Sequence, residues 1–493
     1  MELFKLKNKN ILPFRFKKLK SWKMFLSNDF GKRLLLDEEY FRAFIEDGEL
    51  PLELKDLLIA KYFLLPDGVE INKEIIRGFG YKWLVRNSYL IKWPSLHIIV
   101  VTLYCNHACK YCHASAKTNN PDKYHMTQEI AKKTVDVIFQ TTNGDIGIEF
   151  QWGEPLANWP VVKYIIEYAR EKNKEYDLKL NFSIVTNLSL MDDEKLEFLL
   201  AEDISICTSL DWPKALHDEN RKFVWWKSGF DLVEFWIRKI NNIYRERSFQ
   251  KIVWAVATAT RDSFNYTKEI VDTYIDLWFE NIFMRPLNPF GIALKLWDKI
   301  WYTSQEYIDF YNDMLNYIRQ KVSEWTRFYE TYERICKWNL DGFEKFNFME
   351  ERSPCGAVLG QVAYNWDGKI YTCDEGRMFG TMWDDNFKVG DIDLDKPADQ
   401  IYKEMILNKT TNILANATTI DYLPWYETNP LSNYIWVCPI YSYGQSWNIV
   451  SKYKKEQRFR QQEATFDKIF DDFLEDSKQA AEIQDSEKTI SEK

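Results

Sequence analysis

The sequence predicts an α/β protein in which six β/α repeats build a parallel sheet, as an open partial barrel or a doubly wound sheet. A small α+β module precedes it and a loop-rich region follows. Three observations predict this. Short β-branched apolar runs recur between residues 96 and 287, amphipathic helical segments separate them, and 493 residues at 46 % apolar composition exceed one ordinary domain. Near-continuous apolar strands imply a sheet covered by helices, with chemistry expected at the strands' C-terminal ends.

Taken in order, residues 1–90 read as a hairpin, KMFLSND-FG-KRLLLD, followed by helices at EEYFRAFIE and PLELKDLLIAKYF. Residues 91–303 hold the six runs: LHIIVVTL (96–103), IGIEF (146–150), LNFSIV (180–185), ISICTSL (204–210), IVWAVATAT (252–260) and IFMRPL (282–287). Apolar residues at three- and four-residue spacings mark helices over 127–142, 161–175, 192–202 and 230–247. Residues 304–450 begin helical and become loop-rich from 353. From 451 the chain reads as an amphipathic helix passing into a charged tail.

Composition excludes several classes. With 65 Lys+Arg against 74 Asp+Glu the net charge is −9, which argues against a duplex nucleic-acid binder. No apolar run approaches the roughly 18 residues of a spanning helix. The basic N-terminus lacks the apolar region and cleavage site of a secretion signal. Eight cysteines in so long a chain are too few for a disulfide scaffold, so a cytoplasmic protein with metal or redox chemistry is expected.

The strongest local signal is LYCNHACKYCHAS, which sets Cys105, Cys109 and Cys112 in a C-x3-C-x2-C array directly after the first strand. Three thiolates in one short loop suit a [4Fe–4S] cluster and leave one iron without a protein ligand. Zinc is the competing reading because His107 and His113 lie alongside, although zinc sites usually pair ligands with a distant second pair. Three incidental buried cysteines are the bland alternative.

With these residues in view, the chain resembles the radical S-adenosylmethionine (SAM) enzymes, which carry this cysteine array after strand one of a partial (β/α)6 barrel. The resemblance implies that the open iron chelates SAM. EFQWGEPL (149–156) is similar to the family's GGEP element, with Gly153, Glu154 and Pro155 in place and Trp152 where a glycine is expected. VTN (185–187) and SLDWP (209–213) resemble the strand-three and strand-four elements, implicating Thr186, Asn187, Ser209 and Asp211 in SAM binding. Arg221, closing HDENR, is the implied partner of the SAM carboxylate. Each match alone equally describes a helix cap or a polar strand end; their order behind the cysteines carries the resemblance. The cofactor would carry the hard chemistry while the protein orients it and excludes water.

Farther on, SPCGAVLGQVAYNWDGKIYTCDEGRM reads as strand, Asp-Gly turn, strand. The spacing from Gly368 to Cys373 resembles the start of a SPASM domain, which implies an auxiliary iron–sulfur cluster held by Cys355, Cys373 and Cys438, with Cys336 as a further candidate. The rest of the SPASM cysteine run is replaced by Tyr426, Asn429 and Ile435. Cys207, within an apolar strand, is expected to be a buried small hydrophobe.

Over nearly the whole length the chain resembles the B-type radical SAM maturase of the His-Xaa-Ser peptide system, through PFRFKKL, EFQWGEPL, ICTSLDWP, MRPLNPFG, YTCDEGRM and WVCPIYSYGQ. The resemblance implies a ribosomally made precursor peptide, an electron donor such as flavodoxin or ferredoxin, and a companion maturase. It also suggests that the N-terminal module captures a leader peptide, with a plain stabilising cap as the alternative. The other readings weighed are an anaerobic sulfatase-type maturase and a catalytically silent iron–sulfur peptide-binding protein.

One compositional oddity crosses these elements: tryptophan (20) outnumbers glycine (18). Thirteen tryptophans stand where turn logic or the family pattern asks for glycine: Trp22, Trp93, Trp152, Trp212, Trp225, Trp226, Trp278, Trp301, Trp325, Trp383, Trp425, Trp436 and Trp447. The expectation is a UGA codon decoded as glycine in the host and written as tryptophan in translation.

Overall fold

In a computed structural model of the chain, the described residues are 10–19, 23–69, 73–86, 88, 94–141, 144–224, 228–249, 251–323, 327–340, 354–418, 438–450 and 461–473. Tyr426, Asn429 and Ile435 lie outside them, as do most of the predicted tail and seven of the thirteen tryptophans.

The N-terminal sheet is an antiparallel meander of β1 (Arg15–Lys18), β2 (Lys23–Ser27) and β3 (Arg33–Asp37), with β2 in the middle. Alternation along β3 buries Leu34 and Leu36 and turns Leu35 outward. The buried side packs on Phe41, Phe44 and Ile45 of the helix Glu38–Glu46, the expected amphipathic partner. Phe25 of β2 meets Phe470 of helix 461–473 at 4.6 Å between ring centroids, so the chain's two ends share one core.

All six predicted barrel strands form: β4 (Leu96–Ile99), β6 (Ile146–Phe150), β7 (Leu180–Thr186), β8 (Ser205–Ser209), β10 (Trp254–Thr258) and β11 (Asn281–Arg285). They pair in parallel in that order. Between β4 and β10, two three-residue strands, β5 (His107–Cys109) and β9 (Arg221–Phe223), pair with each other apart from the main sheet. Ile146, Ile148 and Phe150 face the covering helices, while Gly147 and Glu149 face the opposite, concave side. The predicted helices appear as Gln128–Thr141, Trp159–Tyr176, Asp193–Ala201 and Phe230–Glu246. The first apolar run ends its pairing at Ile99, and residues 100–103 turn instead into the cysteine loop.

The sheet does not stop at six strands. β12 (Tyr329–Glu330) extends it beyond β11. At the other edge β13 (Gln361–Tyr364) pairs in parallel with β4, followed by antiparallel β14 (Lys369–Tyr371) and β15 (Lys388–Asp391). Within the loop-rich C-terminal region the expected strand–turn–strand hairpin forms, turning at Asp367-Gly368 with Gly368 at φ 83°, and it continues the barrel sheet. Among the described residues no helix is long and apolar enough to cross a membrane.

Candidate active site

The cysteine loop is closed by backbone bonds before any side chain contributes. The Cys105 N–H donates to Lys117 O at 2.8 Å, and Lys117 N–H to Leu103 O at 2.8 Å. β5 lies antiparallel to β9, which sets Cys109 opposite Arg221. Each sulfur accepts an N–H. Cys105 Sγ takes the His107 N–H (3.4 Å) and Asn187 Nδ2 (3.8 Å), Cys109 Sγ takes Arg221 Nη1 (3.9 Å), and Cys112 Sγ takes the Ala116 N–H (3.5 Å). Such donors tune cluster thiolates.

Burial pushes the Cys109 thiol up to about 12 and Cys105 well above its ordinary range, and each neighbouring thiolate would raise them further. Thiolates so unfavourable in isolation suit a centre whose irons neutralise them. No three His, Cys, Asp or Glu side chains among the described residues close to the spacing of one metal ion. A cubane binds each thiolate to a different iron and so spaces them more widely. Of the two imidazoles of the zinc alternative, His113 Nε2 accepts the Asn288 N–H at 3.3 Å, while His107 is buried against Phe223.

The turn after β6 comes within backbone contact of this loop. Trp152 and Gly153 are both left-handed, at φ 70° and 58°. A Cβ on Gly153 would sit 2.3 Å from Thr102 O and 2.6 Å from Tyr104 O, so only glycine fits. Glu154 anchors the turn: its N–H donates to Tyr104 O at 2.7 Å. Its carboxylate accepts from the Leu156 N–H (3.1 Å), Thr186 Oγ1 (2.6 Å) and the Asn187 N–H (2.8 Å). Glu154 and Thr186 therefore lock the ends of β6 and β7 together, while Asn187 reaches Cys105.

Burial raises Glu154 to about 7 from 4.5, against those three bonds. Because the folded value is the higher one, its stabilisation is complete below pH 4.5 and is lost as pH rises through about 7. Glu154→Gln should flatten this dependence. It should also lose one buried bond, because an amide NH2 must then face a backbone or hydroxyl donor, at about 1–3 kcal/mol. Urea unfolding of both proteins at pH 5 and pH 8 measures it.

Asp211, Tyr111, Asn220 and Arg221 form a second buried knot. Asp211 Oδ2 accepts Tyr111 Oη (2.5 Å) and Asn220 Nδ2 (3.2 Å) and lies 3.5 Å from Arg221 Nε, while the guanidinium stacks 5.2 Å from the Tyr111 ring centroid. Asp211 Oδ1, Asn220 Oδ1 and Thr208 Oγ1 are buried without a hydrogen-bond partner. These donors and acceptors fit a polar, charged ligand such as SAM. Ser209, half-buried at the end of β8, lies two residues from Asp211.

Sequence reasoning missed a further group on the concave side. Glu149 accepts Ser183 Oγ at 3.0 Å, and burial raises its carboxyl. Cys207, read as a small hydrophobe, shares this side half-buried, its thiol pushed up to about 12 by burial and the Glu149 charge. From the C-terminal region come Asp374, raised to about 7 chiefly by burial, and Arg377, fully buried, whose Nε donates to Asp374 Oδ1 at 3.3 Å. Arg377 Nη1 and Nη2 have no hydrogen-bond partner, and the guanidinium lies 5.6 Å from the Trp152 ring. The available signals were a glutamate inside the apolar run IGIEF and an aspartate directly after Cys373.

Near Arg377, the Cys373 thiol is raised well above its ordinary range by burial first and then by the charges of Glu375, Cys355 and Cys438, so the three cysteines lie within electrostatic reach of one another. Cys373 Sγ accepts the Gly376 N–H and Cys438 Sγ the Tyr441 N–H, each at 3.4 Å. Cys336 is buried in the main core on the helix Thr331–Leu340.

Residues 99–271 match the Radical SAM superfamily, spanning β4 to β10 and every element of the cysteine loop. Residues 99–271 are a radical SAM domain. With that domain come a [4Fe–4S] cluster and SAM as cofactors, and the reading of the chain as an enzyme. The radical SAM cyclopropyl synthase TigE of Paramaledivibacter caminithermalis is 27 % identical over 35 % of this chain, a match spanning only 37 % of TigE. The cysteine-type anaerobic sulfatase-maturating enzyme of Clostridium perfringens is 24 % identical over 55 % of this chain and 71 % of its own. In fold, the chain is similar to Streptococcus suis SuiB bound to its precursor peptide SuiA, with a TM-score of 0.53 at 13 % identity, over 91 % of this chain and 99 % of that chain.

Proposed function

We propose that this radical SAM enzyme is a peptide maturase that oxidises a ribosomally made precursor of the His-Xaa-Ser type. The observation carrying this reading is that the C-terminal region delivers Arg377, paired with Asp374, to the turn at residues 152–153 that approaches the cysteine loop. When bound and reduced, the cluster with SAM supplies a 5′-deoxyadenosyl radical able to take hydrogen from an unactivated C–H bond. Cys105, Cys109 and Cys112 would hold the cluster; the backbone around Gly153, with Thr186, Asn187, Ser209, Asp211 and Arg221, would bind SAM. An oxidation must then dispose of one proton and one electron. Asp374, with a carboxyl near 7, is suited to take the proton. Cys355, Cys373 and Cys438 would hold an auxiliary cluster to take the electron.

The N-terminal module supports capture of a peptide. Its outer strands β1 and β3 carry Phe16 and Leu35, 40 % and 38 % exposed, and strand addition at such an edge is a common mode of peptide binding. The solved relative SuiB binds a precursor peptide. Flavodoxin or ferredoxin would deliver the electrons, and a companion maturase would share the substrate. A sulfatase-type maturase acting on a protein Cys or Ser is the second reading, favoured by the relative covered over 71 % of its length.

Anaerobic reconstitution with iron, sulfide, reductant and SAM should yield 5′-deoxyadenosine, and a His-Xaa-Ser precursor should change mass. Modification of a sulfatase-derived peptide but not the precursor selects the second reading. SAM turnover no greater than a cluster-free control rejects both. Cys355→Ala or Cys373→Ala should stop peptide modification while uncoupled SAM cleavage continues; unchanged peptide turnover in both removes the auxiliary cluster.

A further inference from the structure

Of the thirteen tryptophans at glycine-like positions, six fall within the described residues: Trp152, Trp212, Trp278, Trp301, Trp383 and Trp447. Four of them have positive φ: Trp152 (70°), Trp278 (63°), Trp383 (74°) and Trp447 (57°). The other seven tryptophans, Trp83, Trp159, Trp236, Trp254, Trp297, Trp338 and Trp366, are all described, and none is left-handed. Among the described non-glycine residues with positive φ, tryptophan is the commonest type, ahead of aspartate with three. For a bulky side chain this conformation is an outlier, whereas aspartate tolerates it.

Three of the four occupy one kind of place. The Trp278 N–H donates to Ile275 O (2.9 Å) and the next N–H, of Phe279, to Tyr274 O (3.0 Å). Trp383 to Gly380 O (3.3 Å) and Asp384 to Phe379 O (3.1 Å) repeat the pattern. Both are Schellman caps with tryptophan at the left-handed position that glycine dominates. Trp447 N–H donates to Tyr443 O at 2.7 Å, the single-bond form of the same cap. Trp383 puts its indole in solvent, 97 % exposed, so no packing explains the choice there; Trp447 is 76 % exposed, with the Tyr443 ring 5.3 Å away. The fourth, Trp152, holds a buried indole N–H with no partner, where tryptophan normally finds one.

We infer that the polypeptide made in its native host carries glycine at residues 152, 278, 383 and 447, because their codon is UGA read as glycine. On the turn and family pattern of the sequence alone, the same holds at the other nine positions, of which Trp212 and Trp301 are described and not left-handed. Composition agrees independently: glycine rises from 18 to 31, near the usual share of about 7 %, and tryptophan falls from 20 to 7. At residue 152 the consequence reaches the active site. Two consecutive glycines, the second of them Gly153, replace a strained indole in the turn that approaches Thr102 and Tyr104, and the Arg377 guanidinium loses the ring beside it.

Sequencing the gene should show TGA at these four codons and TGG at the seven ordinary tryptophans; TGG at any of the four overturns the inference. A second measurement needs no gene. In the full chain as written, Trp383→Gly should raise the thermal midpoint above both the parent and Trp383→Ala, because alanine retains the left-handed cost, while Trp236→Gly, in a helix interior, should lower it. Trp383→Ala matching or exceeding Trp383→Gly overturns the backbone argument.

Discussion

Alanine in place of any one of Cys105, Cys109 or Cys112 is expected to reduce 5′-deoxyadenosine formation to the level of protein without cluster. The loop offers three thiols, and a cubane that leaves one iron for SAM has no spare protein ligand. His113 Nε2, beside the loop, is already engaged by the Asn288 N–H. Iron content and the visible absorption of reconstituted protein should fall with the activity. The fold should survive, because the loop is closed by backbone bonds between Cys105, Leu103 and Lys117. Retained SAM cleavage in any single variant would refute the assignment of that residue.

Gly153→Ala should be nearly as damaging by a different route. The added methyl carbon would lie 2.3 Å and 2.6 Å from two carbonyl oxygens of the cysteine loop, and both obstacles are backbone. The left-handed φ of 58° adds its own strain of about 1–3 kcal/mol. Moving the turn away would break the Glu154 N–H bond to Tyr104 O and loosen the Glu154 anchor on Thr186 and Asn187. SAM affinity is expected to fall at least tenfold, or about 1.4 kcal/mol, with the three thiols still loading iron. Anaerobic SAM titration of the reconstituted variant reads this directly; affinity equal to the parent would mean that the turn does not shape the SAM site.

The six barrel strands and four principal helices were legible because each is a run of one hydrophobic period, and burial on the helix-covered face enforces that period. The cysteine loop was legible because ligand spacing is local. Asp374 and Arg377 were not: their meaning depends on a pairing between β13 and β4 that joins Gln361 to Leu96, a separation no local pattern encodes. Glu149 was hidden differently, since alternation within a strand predicts only that one side differs from the other, not that the differing side carries a buried carboxyl. Glu154 and Arg221 match family motifs in sequence, yet in the structure each is largely engaged by protein partners, because a buried charge must be compensated locally.

The pairing of β13 with β4 also constrains how the molecule is made. β4 leads straight into the cysteine loop, but its second neighbour is not synthesised until the ribosome has added 265 more residues, from Leu96 to Gln361. Until then one edge of the strand bearing that loop has open backbone groups, the condition that invites wrong pairing or aggregation. A nascent chain released or cleaved near residue 303 would contain the complete superfamily match yet present this unfinished edge. Expression of such a fragment should therefore give insoluble protein, and holding the edge safe during synthesis is a task for chaperones rather than for the barrel itself.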